Sequence, residues 1–371
     1  MPISSQSAPL AEILDSLTTE GAAELTEQLT GDALKCFACG HRCLINPGKR
    51  GICKVRFNQG GQLRVPTNYV AALACDPTEK KPFFHVLPGS DTLTFGMLGC
   101  DLHCAYCQNW LTSQALRDDA AGAAPQRITP ERLVAMAQAY GAALVGSSYN
   151  EPLITAEWAV EVFRQARPAG FRTAFISNGN ATPQVLDYLR PWTDCYKIDL
   201  KSMSDKNYRQ LGGVVDNILD TVRMVHERGF WEEIVTLVIP GFNDSEAELK
   251  SAAEFIASVS PDIPWHVTAF HQDYHMIENA NTTAEQLIRA CEIGRAAGLR
   301  YVYAGNLPGR VGPWENTYCP ECAELLVERH GYLIRSVTIT PSGTCPSCAT
   351  IIPGIWSVFG DKLKYLKGDR T

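Results

Sequence analysis

The chain has 371 residues and a formal charge of −7, with 33 Lys+Arg against 40 Asp+Glu. Hydrophobic residues at 45% and charged residues at 20% are globular proportions, which excludes disorder driven by low hydrophobicity. No run approaches the ~18 uninterrupted apolar residues of a membrane helix, the start MPISSQSAPLAEILDSLTTEG has no basic-then-apolar leader, and mild acidity runs against wholesale nucleic-acid binding. The expectation is a soluble cytoplasmic protein with no membrane contact.

Residues 1–33 read as a short amphipathic helical extension with polar flanks. Residues 34–90 read as a small basic module and a linker. Lys35, Arg42, Lys49, Arg50, Lys54, Arg56 and Arg64 occur with no acid before residue 76, and Cys36, Cys39, Cys43 and Cys53 lie among glycines. That is the composition of a module held by metal rather than by a core. From 91 to 305 strand-like runs at 92–98, 143–149, 172–177, 195–200, 233–239, 265–270 and 301–304 alternate with helix-like runs. The helices are expected at 130–140, 155–167, 182–190, 214–228, 245–259 and 283–298. Thr129-Pro130-Glu131 and Asn243-Asp244-Ser245-Glu246 are helix-start signals. Such alternation specifies an α/β fold with a parallel sheet and crossover helices. About six repeats suit an incomplete (β/α)6 barrel better than the full eight. Residues 306–371 break the rhythm and read as a separate lobe.

Fourteen cysteines are present, and eleven fall into three tight groups. A disulfide scaffold would be denser in Cys, above roughly 8–10%; in a reducing compartment such spacings read as metal ligands. The strand-like run at 92–98 leads into GCDLHCAYCQNW, giving Cys100-x3-Cys104-x2-Cys107. Three thiolates can hold three irons of a cubane and leave the fourth without a protein ligand, whereas electron-carrier ferredoxins supply Cys to every iron. An open position is what a catalytic metal needs, and a loop at the C-terminal end of a barrel strand is where catalytic groups sit. The competing reading is a three-Cys zinc site completed by a distant His. Tyr106 either shields the cluster from water or simply packs.

Cys319-x2-Cys322 and Cys345-x2-Cys348, with 22 residues between the pairs, form a four-thiolate signature of the zinc-ribbon or rubredoxin type. The intervening HGYLIRSVTIT reads as a β-hairpin, and the closed site reads as structural, with zinc favoured over iron. For Cys36, Cys39, Cys43 and Cys53, with His41 as a substitute ligand, zinc and an auxiliary iron–sulfur cluster both stay open. Cys195 and Cys291 read as core residues; Cys75 receives no role.

The motif Cys100-x3-Cys104-x-Tyr106-Cys107 on such a barrel resembles the radical S-adenosylmethionine (SAM) enzymes. Asp76-Pro77, Glu79 to Pro82, Tyr149-Asn150-Glu151-Pro152, Ser177-Asn178-Gly179-Asn180, Asp199-Leu200-Lys201, Val238 to Asp244, Trp265-His266-Val267, Phe270-His271 and Asp273-Tyr274 narrow it. With the C-terminal Cys pairs, they resemble the radical SAM component of the AmmeMemoRadiSam system, itself similar to the pyruvate formate-lyase activating enzymes. The resemblance implies a [4Fe-4S] cluster whose open iron is chelated by SAM, and cleavage of SAM to methionine and a 5′-deoxyadenosyl radical. That radical would take hydrogen from a substrate, protein or peptide included. It further implies an electron donor of the flavodoxin or ferredoxin class, and Memo-like and AMMECR-like companions.

Placed at strand ends, the same segments converge on one mouth. Asn150 and Glu151 would meet the SAM ammonium, although many radical SAM proteins carry Gly-Gly-Glu where this chain has Tyr-Asn-Glu. Ser177, Asn178 and Asn180 would meet the carboxylate or ribose, as would Asp199 and Lys201. Ile239 to Gly241 would offer a backbone edge to the adenine, and His271 would touch ribose or substrate. The plain alternatives are turn or cap roles for Ser and Asn, an ion pair for Asp199 and Lys201, and a buried structural His266. Two other functions compete: an RNA-modifying enzyme gripping RNA with the basic module, and a metal-binding scaffold without catalysis.

Overall fold

The computed structural model describes residues 10–357. Eight strands form its central sheet: β1 (Ala72–Pro77), β2 (Asp91–Gly96), β3 (Leu144–Ser147), β4 (Arg172–Ser177), β5 (Cys195–Asp199), β6 (Trp231–Val238), β7 (Trp265–Ala269) and β8 (Val302–Gly305). They lie side by side in chain order. β1 is antiparallel to β2, and the seven strands from β2 onward are parallel. β1 and β8 are the edges, so the sheet is an α/β barrel left open on one side.

Each parallel crossover carries a main helix: α1 (Pro130–Ala139), α2 (Ala156–Ala166), α3 (Pro183–Leu189), α4 (Val215–Glu227), α5 (Glu246–Val259) and α6 (Ala284–Ala296). Their starts are chemically marked. Thr129, Thr182 and Ser245 accept backbone N–H bonds from Arg132, Val185 and Glu248, and Thr283 with Gln286 forms a capping box. Pro130 and Pro183 occupy positions where a missing N–H does no harm. Strands covered on both faces need near-continuous apolar runs, as in the wholly buried β3. The core between sheet and helices is built on Trp158, Phe163, Phe175, Tyr196 and Trp265, all buried. Truncating one such aromatic to Ala costs about 3–5 kcal/mol.

Two expectations need correction. The helix of the N-terminal extension covers only Leu10–Asp15 among the described residues, and residues 1–9 lie outside them. Thr18–Glu20 instead pairs with Gln62–Pro66, and Thr26–Gln28 with Leu34–Cys36, so this stretch is folded into the Cys-rich module. Its β-branched threonines favour strand, and pairing partners distant in sequence override a weak helical period. The sheet also begins at Ala72, inside the segment read as linker. The run ALACDP is evenly half-buried and therefore lacks the alternation that marks a strand.

The C-terminal lobe is a three-stranded antiparallel sheet, Thr317–Tyr318, Leu325–His330 and Leu333–Val337, containing the expected hairpin. It is fixed to the barrel through residues 84 and 85. Arg329 Nη2 donates to Phe84 O (2.8 Å), and His85 bonds Pro353 O (2.7 Å) and Tyr303 OH (2.6 Å). Glu233 on β6 accepts the Phe84 and His85 N–H groups and bonds His266 Nε2 at 2.7 Å, which uses His266 inside the fold.

Candidate metal-cluster and cofactor site

β2 delivers the chain through Met97, Leu98 and Gly99 to Cys100. At Gly99 φ is +95°, and a Cβ there would lie 3.0 Å from Val55 Cγ1 and 3.2 Å from Cys53 O. Glycine alone allows this turn to press against the Cys-rich module. Cys104 is buried, Cys100 and Cys107 are half-buried, and all three thiols are free. They pack with Leu102, Tyr106, Leu211, Ile239 and Phe270 in one apolar cluster. Leu102 N donates to Cys100 Sγ (3.4 Å), and Ser113 Oγ lies 3.2 Å from Cys107 Sγ. Burial, reinforced by Asp101, Glu151 and Cys104, pushes the Cys100 thiol well up. Burial likewise raises Cys104 to about 11 against the pull of Lys201. Three soft sulfur donors on one loop in apolar surroundings, with Cys100 and Cys104 disfavoured as bare thiolates, are a donor set that fits an iron–sulfur cluster.

Asp101, which sequence reasoning passed over, organises one side of this loop. Its side chain is fully buried and accepts Asn178 Nδ2 at 2.7 Å and Asn180 Nδ2 at 2.8 Å. The only local signal was an acid placed inside the Cys motif. Glu151 lies alongside: Ser177 Oγ (2.7 Å) and Leu153 N (3.1 Å) donate to Oε1, and Asn178 N (2.7 Å) to Oε2. Burial, then the charge of Asp101, raises Glu151 to about 8. Asn150 spends its amide on Met97 N (3.0 Å) and Glu151 O (3.2 Å), tying β2 to the end of β3.

The opposite side is charged. Asp199 lies between Lys197 and Lys201, and Lys201 Nζ donates to it at 3.3 Å. Burial alone would raise Asp199, and the two ammonium groups more than offset it, holding the carboxyl below its usual range. Burial opposes the charge on Lys201, but Asp199, Cys104 and Tyr106 together hold its pKa well up. Lys197 was missed; its two-residue offset from Asp199 on β5 was the available signal. Tyr106 is buried edge-on to Phe242, with ring centroids 5.9 Å apart.

Two expected roles change. The backbone of Ile239 is used within its own turn, since Asn243 Oδ1 accepts from its N–H (2.7 Å) and Phe242 N donates to its carbonyl (3.0 Å). Its contribution is therefore an apolar side chain. His271 is exposed, with Nδ1 3.2 Å from Gln272 O, and is not gathered with the other candidates. Its loop instead returns through Tyr274 and His275: His275 N donates to Ala105 O (2.9 Å), and Tyr274 stacks on Trp110 at 5.1 Å.

In the C-terminal lobe the Cys319 and Cys348 sulfurs are 3.5 Å apart and those of Cys322 and Cys345 3.6 Å, and all four lie within 4.8 Å of one another. A tetrahedral ion with bonds of about 2.3 Å sets sulfurs roughly 3.8 Å apart, so the group fits one metal ion. Among the described residues no other group of three or more Cys, His, Asp or Glu is gathered in this way.

The model of the radical SAM superfamily matches residues 95–256, a span that takes in the whole Cys loop and the strand ends through β6. The chain belongs to the radical SAM superfamily. An uncharacterized protein of Methanocaldococcus jannaschii is 34% identical over 307 residues, 82% of this chain and 90% of its own. The pyruvate formate-lyase 1-activating enzyme of Escherichia coli is 27% identical over 177 residues, 45% of this chain and 69% of its own. A radical SAM methyltransferase structure from Sphaerobacter thermophilus overlays 83% of this chain and 81% of its own at 16% identity, with a TM-score of only 0.46. Membership makes the chain an enzyme of the radical SAM class, and radical SAM enzymes use a [4Fe-4S] cluster, SAM and a reductant. No helix among the described residues is long and apolar enough to cross a membrane.

Proposed function

We propose that Cys100, Cys104 and Cys107 hold a [4Fe-4S] cluster with one iron free of protein ligands, that SAM occupies that iron, and that the product radical takes hydrogen from a protein or peptide substrate. The observation that carries this reading is the meeting of three half-buried or buried thiols with the Glu151–Ser177–Asn178 set on one side and Asp199 with its two lysines on the other. When bound, the cluster supplies the electron that cleaves SAM.

The protein's own part is binding, orientation and dryness. Glu151 Oε2 accepts one bond and keeps a second acceptor position. An ammonium brought to it would restore the carboxylate that burial disfavours, a charge-assisted bond in a dry site. Ser177 and the Asn178 N–H hold Glu151 in place for that contact. Lys197 and Lys201 outnumber Asp199, so this side suits the SAM carboxylate, with Asp199 reaching the ribose hydroxyls. Ile239, Tyr106 and Phe270 form the apolar wall beside the thiols that would exclude water and pack the adenine.

Residues 34–71, 72–305 and 306–357 serve in this reading as Cys-rich module, catalytic barrel and zinc-holding lobe. The chain would act in the cytoplasm within an AmmeMemoRadiSam system, with Memo-like and AMMECR-like partners; the likeness to activating enzymes supports a protein substrate. Anaerobic reconstitution with iron and sulfide, then dithionite and SAM, should yield 5′-deoxyadenosine and methionine. No product from a fully loaded cluster would overturn the proposal.

A further inference from the structure

The turn that follows β3 holds a bulky residue in a conformation such residues disfavour. Tyr149 has a φ of +68°, in the left-handed region that large side chains rarely enter. It stands where many radical SAM proteins carry glycine, and it keeps a backbone open to glycine while adding a phenol ring. The end of β2 is shaped to admit it. A Cβ on Gly96 would lie 2.5 Å from Ser148 O and 2.8 Å from Tyr149 Cβ, so only glycine lets this turn rest against the strand. Backbone strain of this kind persists where the surroundings over-determine it, and it gathers at ligand clamps.

The phenol crosses to the segment after β1. Lys81 Nζ donates to Tyr149 OH (3.1 Å) and to Asp76 Oδ2 (3.0 Å), and lies 4.8 Å from the Tyr149 ring centroid. Lys80 Nζ donates to the other Asp76 oxygen at 3.0 Å, so two ammonium groups converge on one carboxylate. An ammonium has three N–H donors, and a phenol that accepts a bond still has its own O–H to give. One N–H of Lys81 and the O–H of Tyr149 therefore remain beyond the bonds that hold the pair together. Burial pulls the Lys81 pKa down against the hold of Asp76, and a second anion would restore the charged form. Tyr149 also lines an open groove of about 800 Å³, in the range of ligand pockets, with Ala72 to Cys75 on the edge strand β1 and with Met136 and Tyr140 at the end of α1. Glu151, two residues on, bonds Gly99 O through its N–H (3.4 Å), next to Cys100. The groove thus opens beside the reaction site.

We propose that this groove receives the substrate and that Lys81 and Tyr149 clamp one of its carboxylates, so that the substrate is an acidic peptide segment. The inference rests on the function proposed above and narrows its substrate class. Lys81 and Tyr149 are specificity residues in this account: they bond the substrate away from the reacting carbon and set which C–H bond is presented to the radical.

The test is peptide binding to the cluster-loaded enzyme with SAM and without reductant. The probes are acetyl-Ala-Ala-Glu-Ala-Ala-amide, its Gln counterpart, and the Gln peptide with a free C-terminal carboxylate. One of the two carboxylate-bearing peptides should bind about 10-fold more tightly than the capped Gln peptide, and which one does so names the source of the carboxylate. Lys81→Met and Tyr149→Phe should each erase that preference. Lys81→Met leaves Asp76 its bond from Lys80, and Tyr149→Phe keeps the ring; should the first variant fail to fold, the second decides. Equal binding of all three peptides, or a preference that survives either substitution in folded protein, would overturn the clamp. An unaltered enzyme that cleaves no SAM with dithionite would sink the proposed function, whereas a carboxylate preference lost in the two variants would still stand.

Discussion

The two ends of the chain use cysteine in opposite ways. In the C-terminal lobe four sulfurs converge within 4.8 Å, two knuckles of a hairpin closing on a point with no room for a substrate. At the barrel mouth three thiols from one loop, Cys104 buried and Cys100 and Cys107 half-buried, lie in apolar surroundings, with polar groups from several strand ends beside them. The difference teaches that cysteine count says little about role. Four thiolates closing on one point make a staple, and three on one loop leave a ligand position for chemistry.

The sharpest way to break this contrast is Cys104→Ala. Losing an outer-shell partner of a metal ligand costs about 10–100-fold, so losing a ligand should cut SAM cleavage by at least about 10³-fold, while metal content at the C-terminal site stays unchanged. Cys345→Ser is the mirror experiment. Structural zinc binding is worth about 10–16 kcal/mol in small domains, so the lobe should lose its metal and become sensitive to proteolysis around residues 317–350. The Cys100 site should keep its iron; equal loss of iron at both sites would erase the distinction.

Asp101→Asn probes what keeps the open site open. It removes the charge from two bonds, to Asn178 and Asn180, each worth about 1.5–3 kcal/mol when charge-assisted. Chemical denaturation should register a loss of about 3 kcal/mol, and iron occupancy at the barrel should fall with the metal content of the lobe intact.

A smaller effect lies at the joint between the two regions. Burial lowers His85 from 6.5 to about 4, so its neutral form is the native one. The stability it contributes is present above pH 6.5 and is lost as pH falls toward 4, by about 3 kcal/mol in full. Glu79, raised by burial to about 7, runs the other way, since its contribution is lost as pH rises from 4.5 through 7. Denaturation of wild type and His85→Phe at pH 7 and pH 4.5 separates the two. Wild type should lose about 2–3 kcal/mol more than the variant on acidification; equal slopes would show that His85 is not buried against the lobe.

The repeating part of the fold was legible because its signals are local. β4 was expected at 172–177 and is observed there, and the helices start within a residue or two of their predicted positions because Thr-Pro and Ser-Glu caps mark them. What escaped is what depends on contacts across the sequence. β1 is a strand because β2 pairs with it, not because ALACDP alternates. Asp101 matters because residues 77 and 79 positions away bond it. Tyr274 and His275 rather than His271 reach the Cys loop, because the turn after β7 folds back by its own hydrogen bonds. The Cys motif needed no tertiary knowledge at all, since a thiolate triad on eight consecutive strand-end residues has few other uses.

The proposed function turns on a cluster iron that SAM, and no side chain, completes. Electron–nuclear double resonance on the reduced protein with SAM labelled at its amino nitrogen and carboxylate oxygens tests it most directly. Strong hyperfine coupling from both labels, abolished in Cys104→Ala, is the predicted result. A fully loaded cluster showing no coupling from either label would contradict it.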